Sequence, residues 1–109
     1  MPELLEDREK VLENKYIREE ELHFKIESRA VELFALWVAG QLGYKNEAAQ
    51  KYVENFMDLY ARKHGMDVFA RAKNILTLGG IETSRNEMEN VFKACQKEAK
   101  KNIENSGGS

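Results

Sequence analysis

The positions of proline and glycine constrain this chain more than any other feature. Proline occurs once, at position 2, so no later residue of that type forces a helix to break. Glycines interrupt the sequence at positions 40, 43, 65, 79 and 80. Glycine often ends a helix in the left-handed conformation, and a glycine pair makes further helix costly. These glycines therefore divide the chain into helical segments.

Apolar residues after position 21 follow the three- and four-residue steps of a helix, and Gly43 is placed to end it. This pattern predicts the principal core helix. Its apolar face consists of Leu22, Ile26, Ala30, Leu33, Phe34, Trp37, Val38 and Leu42. The aromatic ring of Trp37 could anchor an interface, but its helical spacing favours a place in the core.

Three further helices are predicted from their capping residues. Asn46 is a candidate N-cap for a helix closed by Gly65, and Asp67 can cap a shorter helix over residues 68–78. Ser84 and Glu87 have the spacing of a capping box before the last helix. The apolar face of that helix consists of Met88, Val91, Phe92, Cys95, Ala99 and Ile103.

Four helices joined by short loops predict the fold class: all-α, a small antiparallel four-helix bundle. No stretch alternates with the period of a strand, and 109 residues suit one domain. We divide the chain into an N-terminal helical segment at residues 1–21, the bundle at 22–104, and a flexible tail at 105–109. The tail is rich in Gly and Ser, which is typical of flexible ends.

The N-terminal segment 1–21 is dominated by charges of alternating sign and carries only a thin apolar stripe. It is therefore predicted to be helical but weakly anchored to the bundle. A helix of this kind is suited to folding against the groove of a partner protein. An exposed, frayed extension held by charge pairs is an equally good interpretation of its composition.

Composition argues against several classes of protein. The formal net charge is −2, from 17 basic and 19 acidic residues, so nucleic acid is not an expected partner. Cys95 is the only cysteine and cannot form an internal disulfide, which favours the reducing cytoplasm. The chain starts without the pattern of a signal peptide, and no apolar run is long enough to span a membrane.

Residues that could carry catalysis or bind a metal or cofactor are few. Glu20 and His23 have the Glu-x-x-His spacing of di-iron bundles, but the only other histidine, His64, follows Ala61 and provides no second copy. Cys95 lies on an apolar helix face, where a free cysteine behaves as a small hydrophobic residue. We therefore predict no metal, no cofactor and no enzymatic activity.

Basic residues line one side of the last helix: Lys93, Lys97, Lys100 and Lys101. This lysine stripe could contact an acidic partner or a nucleotide phosphate. Cations near a helix C-terminus also stabilise the helix through its dipole, and that structural explanation is the favoured one.

Several short strings, in order and at matching spacing, resemble the zeta subunit of the alphaproteobacterial F-type ATP synthase. They are Asp7-Arg8-Glu9-Lys10, Lys15-Tyr16, Glu20-Glu21-Leu22, Phe24-Lys25, Leu36-Trp37, Leu42-Gly43 and Asp67-Val68-Phe69. The resemblance covers about residues 7–103. This sequence departs from the family pattern at Ile17-Arg18-Glu19, where a small residue, a histidine and an acid are common. It also departs from that pattern at Ile26 and Ser28.

The resemblance implies a regulatory subunit that inhibits ATP hydrolysis by inserting its N-terminal helix between the alpha, beta and gamma subunits of the synthase. It implies a protein that is monomeric when free and that, through the synthase, is peripheral on the cytoplasmic face of the bacterial plasma membrane. The inhibitory residues carried over by position are Leu5, Asp7, Arg8, Glu9, Lys10, Leu12, Lys15 and Tyr16.

Two alternatives stay open. One is a structural or vestigial subunit associated with the synthase that has lost inhibition, as the missing histidine near Arg18 would allow. The other is a small module that senses ATP or ADP through Lys93, Lys97 and Lys101. No phosphate-binding loop supports the nucleotide module.

Overall fold

The computed structural model describes residues 2–63 and 65–107, and it describes side chains at 19–63 and 65–104. Within the described residues the chain is helical and contains no strand. The helices are α1 (Pro2–Gln41), α2 (Asn46–Arg62), α3 (Val68–Leu78) and α4 (Arg85–Gly107). The predicted fold class, an all-α four-helix bundle, is confirmed.

Helix α1 is a single helix of 40 residues. It joins the predicted N-terminal segment to the principal core helix without a break, since neither proline nor glycine occurs between positions 3 and 39. The helix ends where the sequence predicts. Gly43 takes a φ of +83°, and the Tyr44 N–H donates to the Ala39 carbonyl at 2.9 Å.

Helix α1 is the centre of the bundle and buries more than one face. The predicted core residues Ala30, Phe34 and Val38 are fully buried. Three residues outside the predicted face, Val31, Ala35 and Ala39, are buried as well. The reason is that α1 packs against both α2 and α4, whereas those two helices barely touch each other.

Four aromatic rings join α1, α3 and α4. Phe34 stacks on Trp37, with ring centroids 5.7 Å apart. The edges of Phe69 and Phe92 meet Phe34 at 5.6 Å and 5.8 Å. Phe69 and Phe92 are 5.5 Å apart, also edge to face. Trp37 therefore packs against the core, as its spacing predicts.

The predicted caps of α3 and α4 are confirmed. The Asp67 carboxylate accepts hydrogen bonds from the N–H groups of Phe69 and Ala70 at 3.1 Å and 3.2 Å. Ser84 Oγ accepts a hydrogen bond from the Glu87 N–H at 3.1 Å. These bonds pair N–H groups that the first turn of a helix otherwise leaves without a partner.

The predicted N-cap of α2 is wrong, and the helix ends shortly before the predicted closing glycine, Gly65, which has a left-handed φ of +77°. Lys45, not Asn46, is the N-cap, and it makes no side-chain capping bond. Asn46 has a φ of +53°, a left-handed conformation in which it cannot be the extended N-cap that we predicted. At the other end α2 stops at Arg62 with Lys63 as C-cap, before Gly65 is reached.

The C-terminal end of α4 extends further than the predicted bundle. The helix runs to Gly107 and so overlaps the segment 105–109 that composition assigns to a flexible tail. None of the described helices is both long enough and apolar enough to cross a membrane.

Candidate protein-binding surface

The surface of α1 changes character between residues 25 and 26. Every side chain from 19 to 25 is exposed, those at 26–29 are half-buried, and Ala30 is fully buried. Leu22, which the apolar pattern assigns to the core, is 43% exposed. The core face of α1 therefore begins at Ile26 and not at Leu22.

Helix α1 continues from this point toward its N-terminus. Forty residues at about 1.5 Å per residue give a helix of about 60 Å, close to the longest dimension of the molecule, 68 Å. Helices α2 and α4 contain 17 and 23 residues and are much shorter. Helix α1 thus sets the length of the molecule.

The predicted inhibitory residues fall on this N-terminal stretch of α1. Their side chains lie outside the described residues, so their roles stay predictions. They are Leu5, Asp7, Arg8, Glu9, Lys10, Leu12, Lys15 and Tyr16. Of the predicted segment 1–21, the side chains of Glu19, Glu20 and Glu21 are described, and all three are exposed.

An open groove of about 550 Å³ lies where α1 meets the last turns of α2. We call it the base groove. It is lined by Glu19, Glu20, His23, Phe24, Glu27 and Tyr60. Phe24 is 69% exposed, although a phenylalanine ring is usually buried. The sequence named Phe24 only within the family resemblance and assigned neither Phe24 nor Tyr60 to a binding site. The available signal was an aromatic residue outside the apolar face of α1.

The carboxylates of the base groove have few partners in the described part of the chain. Glu27 accepts a hydrogen bond from Gln96 Nε2 at 3.4 Å, which ties α1 to α4. Neither Glu19 nor Glu20 forms an ion pair with a described residue. The groove therefore combines an exposed aromatic ring with the exposed carboxylates of Glu19 and Glu20.

The other predicted candidates are placed as follows. Lys93, Lys97 and Lys101 are exposed on α4, so the lysine stripe is accessible. His23 is exposed in the base groove, whereas His64 lies outside the described residues. Among the side chains that are described, no three of His, Cys, Asp or Glu are grouped so that they could hold a metal ion.

The shifted pKa values of three further titratable groups have structural explanations. Backbone hydrogen bonding from Ala70, together with Arg85, lowers the pKa of the Asp67 carboxyl. Asp67 and Glu89 raise the pKa of Arg85. Burial raises the pKa of the Cys95 thiol, which disfavours the thiolate that a nucleophile requires. The lowered pKa of Asp67 reflects capping and pairing at the start of α3.

Comparison with known proteins gave one match. The family model described as ATPase inhibitor subunit zeta matches residues 1–102. Neither the search of curated proteins nor the search of solved structures found a match. The family match includes both the bundle and the N-terminal part of α1.

Proposed function

Because this chain belongs to the ATPase inhibitor subunit zeta family, we propose that it inhibits ATP hydrolysis by the F-type ATP synthase with the N-terminal part of α1. Membership gives it the regulatory role of an inhibitor subunit, which is not a catalytic one. The proposal adds the part of the chain that acts, the way it acts and the subunits it contacts.

The observation that supports this proposal is the continuity of α1. The helix begins at Pro2 and reaches the core at Ile26 without interruption. The bundle thus presents a long helical arm, and side chains 19–25 of that arm do not pack into the core. An arm of this kind can enter a cleft in a partner while the bundle stays outside.

The proposed mechanism is mechanical. The arm inserts between the alpha and beta subunits close to gamma, and there it prevents the domain closure and rotation that each turnover requires. Such a block needs no contact with nucleotide. The contacts would come from the apolar Leu5 and Leu12 and from the polar residues Asp7, Arg8, Glu9, Lys10, Lys15 and Tyr16.

The rest of the chain has a supporting role in this proposal. Residues 22–104 form the bundle that carries the arm, and residues 105–109 make no proposed contact. Association with the synthase places the protein peripherally on the cytoplasmic face of the bacterial plasma membrane.

A second candidate function is a structural subunit that binds the synthase without inhibiting it. The departure from the family pattern at Ile17-Arg18-Glu19 favours it, because this stretch belongs to the proposed inhibitory arm. Binding through the bundle would then be kept while inhibition is lost.

The test is ATP hydrolysis by a purified alphaproteobacterial F-type ATPase stripped of its own zeta subunit. We would add the full chain, a chain lacking residues 1–20, and a full-length Leu5→Glu/Leu12→Glu variant. Inhibition by the unaltered full chain alone supports the proposed arm. Equal inhibition by the truncated chain would contradict it, and binding by all three without inhibition would favour the structural subunit.

Nucleotide sensing is tested separately. A full-length Lys93→Glu/Lys97→Glu variant removes the net positive charge of the lysine stripe and leaves the sequence of α1 unchanged. Under our proposal this variant inhibits as the unaltered chain does, and ATP or ADP leaves the amide resonances of α4 unshifted. Shifts in α4 that the variant abolishes would favour the nucleotide-sensing module.

A further inference from the structure

We propose that the base groove is a docking site for a basic, arginine-rich segment of a protein partner. This inference concerns residues 19–27 and Tyr60, and it does not depend on what the first turns of α1 do. It rests on the shape, the aromatic surface and the charge of the groove.

The aromatic surface comes from two helices. Phe24 on α1 is 69% exposed, and the half-buried Tyr60 on α2 lines the same groove. Exposing an aromatic ring to water is energetically unfavourable, and aromatic residues are enriched at protein interfaces. A ring face also attracts an ammonium or guanidinium group.

The charge comes from three carboxylates, Glu19, Glu20 and Glu27, that line the groove. Glu21 and Lys25 flank Phe24 on its other side and offset each other in charge. At the end of α2 the guanidinium of Arg62 is 3.3 Å from the Asp58 carboxylate, which partly neutralises it. The exposed Lys63 follows at the C-cap and forms no ion pair with a described side chain. The described residues that line the groove therefore carry an excess of negative charge.

The combination of rings and carboxylates selects the chemistry of the occupant. Carboxylates repel phosphate, so a nucleic acid or a nucleotide is disfavoured. An arginine can stack its planar guanidinium on Phe24 and donate hydrogen bonds to Glu20 or Glu27 in the same pose. The groove has a volume of about 550 Å³. We expect it to accommodate one or two such side chains against the rings.

A second copy of the chain could also supply cations, through the lysine stripe of α4. We assign the groove to a different protein for one reason. Lysine carries a strongly hydrated point charge and cannot stack as arginine does, and the stripe has no large exposed apolar side chain to cover Phe24. Association of the chain with itself is therefore an outcome that would contradict the proposal.

The experiment is an amide-shift titration of the full-length, isotope-labelled chain with a helical alanine peptide that carries an arginine at every fourth position. We expect saturable shifts confined to residues 19–27 and the surroundings of Tyr60. Raising the salt from about 0.1 M to about 1 M shortens the Debye length from about 10 Å to about 3 Å and should weaken binding several-fold. A peptide with glutamate in place of arginine should produce no shifts.

Matched double variants make the test specific. Glu20→Lys/Phe24→Ala changes the groove, whereas Glu82→Lys/Leu78→Ala makes the same change of charge and removes another exposed apolar residue, at the end of α3. Leu78 is 89% exposed, so neither variant disturbs the core. We expect the groove variant to weaken peptide binding by about tenfold and the control by less than about twofold.

Three results would overturn the proposal. The first is that both double variants weaken peptide binding equally. The second is that the peptide shifts the amide resonances of acidic residues elsewhere, such as Glu47 and Glu54. The third is that shifts appear when the protein concentration alone is raised and vanish in Lys93→Glu, which would indicate self-association. Because the titration contains no ATP synthase, its failure is distinct from a failure of the proposed inhibition.

Discussion

The guanidinium of Arg85, the first residue of α4, lies 3.2 Å from the carboxylate of Asp67, the N-cap of α3. Asp67 is therefore shared between two helices, since its other oxygen accepts the N–H groups of Phe69 and Ala70. Arg85 also lies 5.2 Å above the Phe69 ring and pairs with Glu89. This contact joins the starts of α3 and α4 on the bundle surface.

The shared carboxylate predicts a dependence of stability on pH. The folded-state pKa of Asp67 is lowered, first by the Ala70 N–H and then by Arg85. Its stabilising contribution is thus fully present above the unfolded-state pKa of about 3.9 and is lost as the pH falls through the lower folded-state pKa. Asp67→Asn keeps a capping acceptor but loses the charge. We expect the melting temperature of this variant to fall less than that of the unaltered chain when the pH is lowered from neutral to about 2.

The control for this prediction is Glu82→Gln. Glu82 is an exposed acid that makes no ion pair with a described residue. The variant should follow the unaltered chain across the same pH range, as measured by circular dichroism during heating. If Asp67→Asn follows it too, Asp67 does not couple folding to pH.

Phe34 is predicted to be the most sensitive position of the core. It is fully buried and contacts the rings of Trp37, Phe69 and Phe92. Phe34→Ala should lower the free energy of unfolding by about 3–5 kcal/mol, measured by urea denaturation. Phe24→Ala removes the same ring from an exposed position and should change stability by less than about 0.5 kcal/mol. A similar loss in both variants would contradict the assignment of the core.

Gly80 is predicted to be required for its backbone conformation. Its φ is +80°, and nothing lies within 4 Å of an added Cβ, so space is not the constraint. Gly80→Ala should destabilise the protein by about 1 kcal/mol, because alanine disfavours the left-handed region. Gly40 also has open space but is helical. Gly40→Ala should raise stability by about 0.5–1 kcal/mol, and a loss there would contradict the explanation.

Cys95 is predicted to react slowly. Burial raises the pKa of its thiol and leaves less thiolate at neutral pH. Alkylation by iodoacetamide should proceed at least about tenfold more slowly in the folded chain than in urea, with the folded rate rising toward alkaline pH. Equal rates, followed by mass spectrometry, would show that the thiol is accessible and that its packing against the core does not shield it.

Much of the bundle could be predicted from local signals. Asp67 and Ser84 are capping residues with specific spacing, and the caps of α3 and α4 lie where they indicate. Asn46 offers the same signal, but the turn after Gly43 brings it to a φ of +53° and leaves Lys45 as the cap. Local propensity could not reveal this outcome, because Asn tolerates both conformations.

The candidate surface was harder to predict than the core. A single apolar face assigns Leu22 to the core, because periodicity does not show where the neighbouring helices end. It also omits Ala35 and Ala39, which are buried because α1 packs against two helices at once. Phe24 and Tyr60 are far apart in the sequence, so their position in one groove depends on tertiary packing.

The unbroken course of α1 fixes an angular relationship along the molecule. Each helical residue turns the chain by about 100° and advances it by about 1.5 Å. The direction in which the first turns face is therefore set, relative to the base groove, by the number of residues between them. One inserted residue would rotate the bundle by about 100° around the helix axis, relative to the first turns, while the packing of the bundle stayed intact. In this protein, the number of residues between Pro2 and Ile26 therefore fixes the direction in which the first turns of α1 face relative to the bundle.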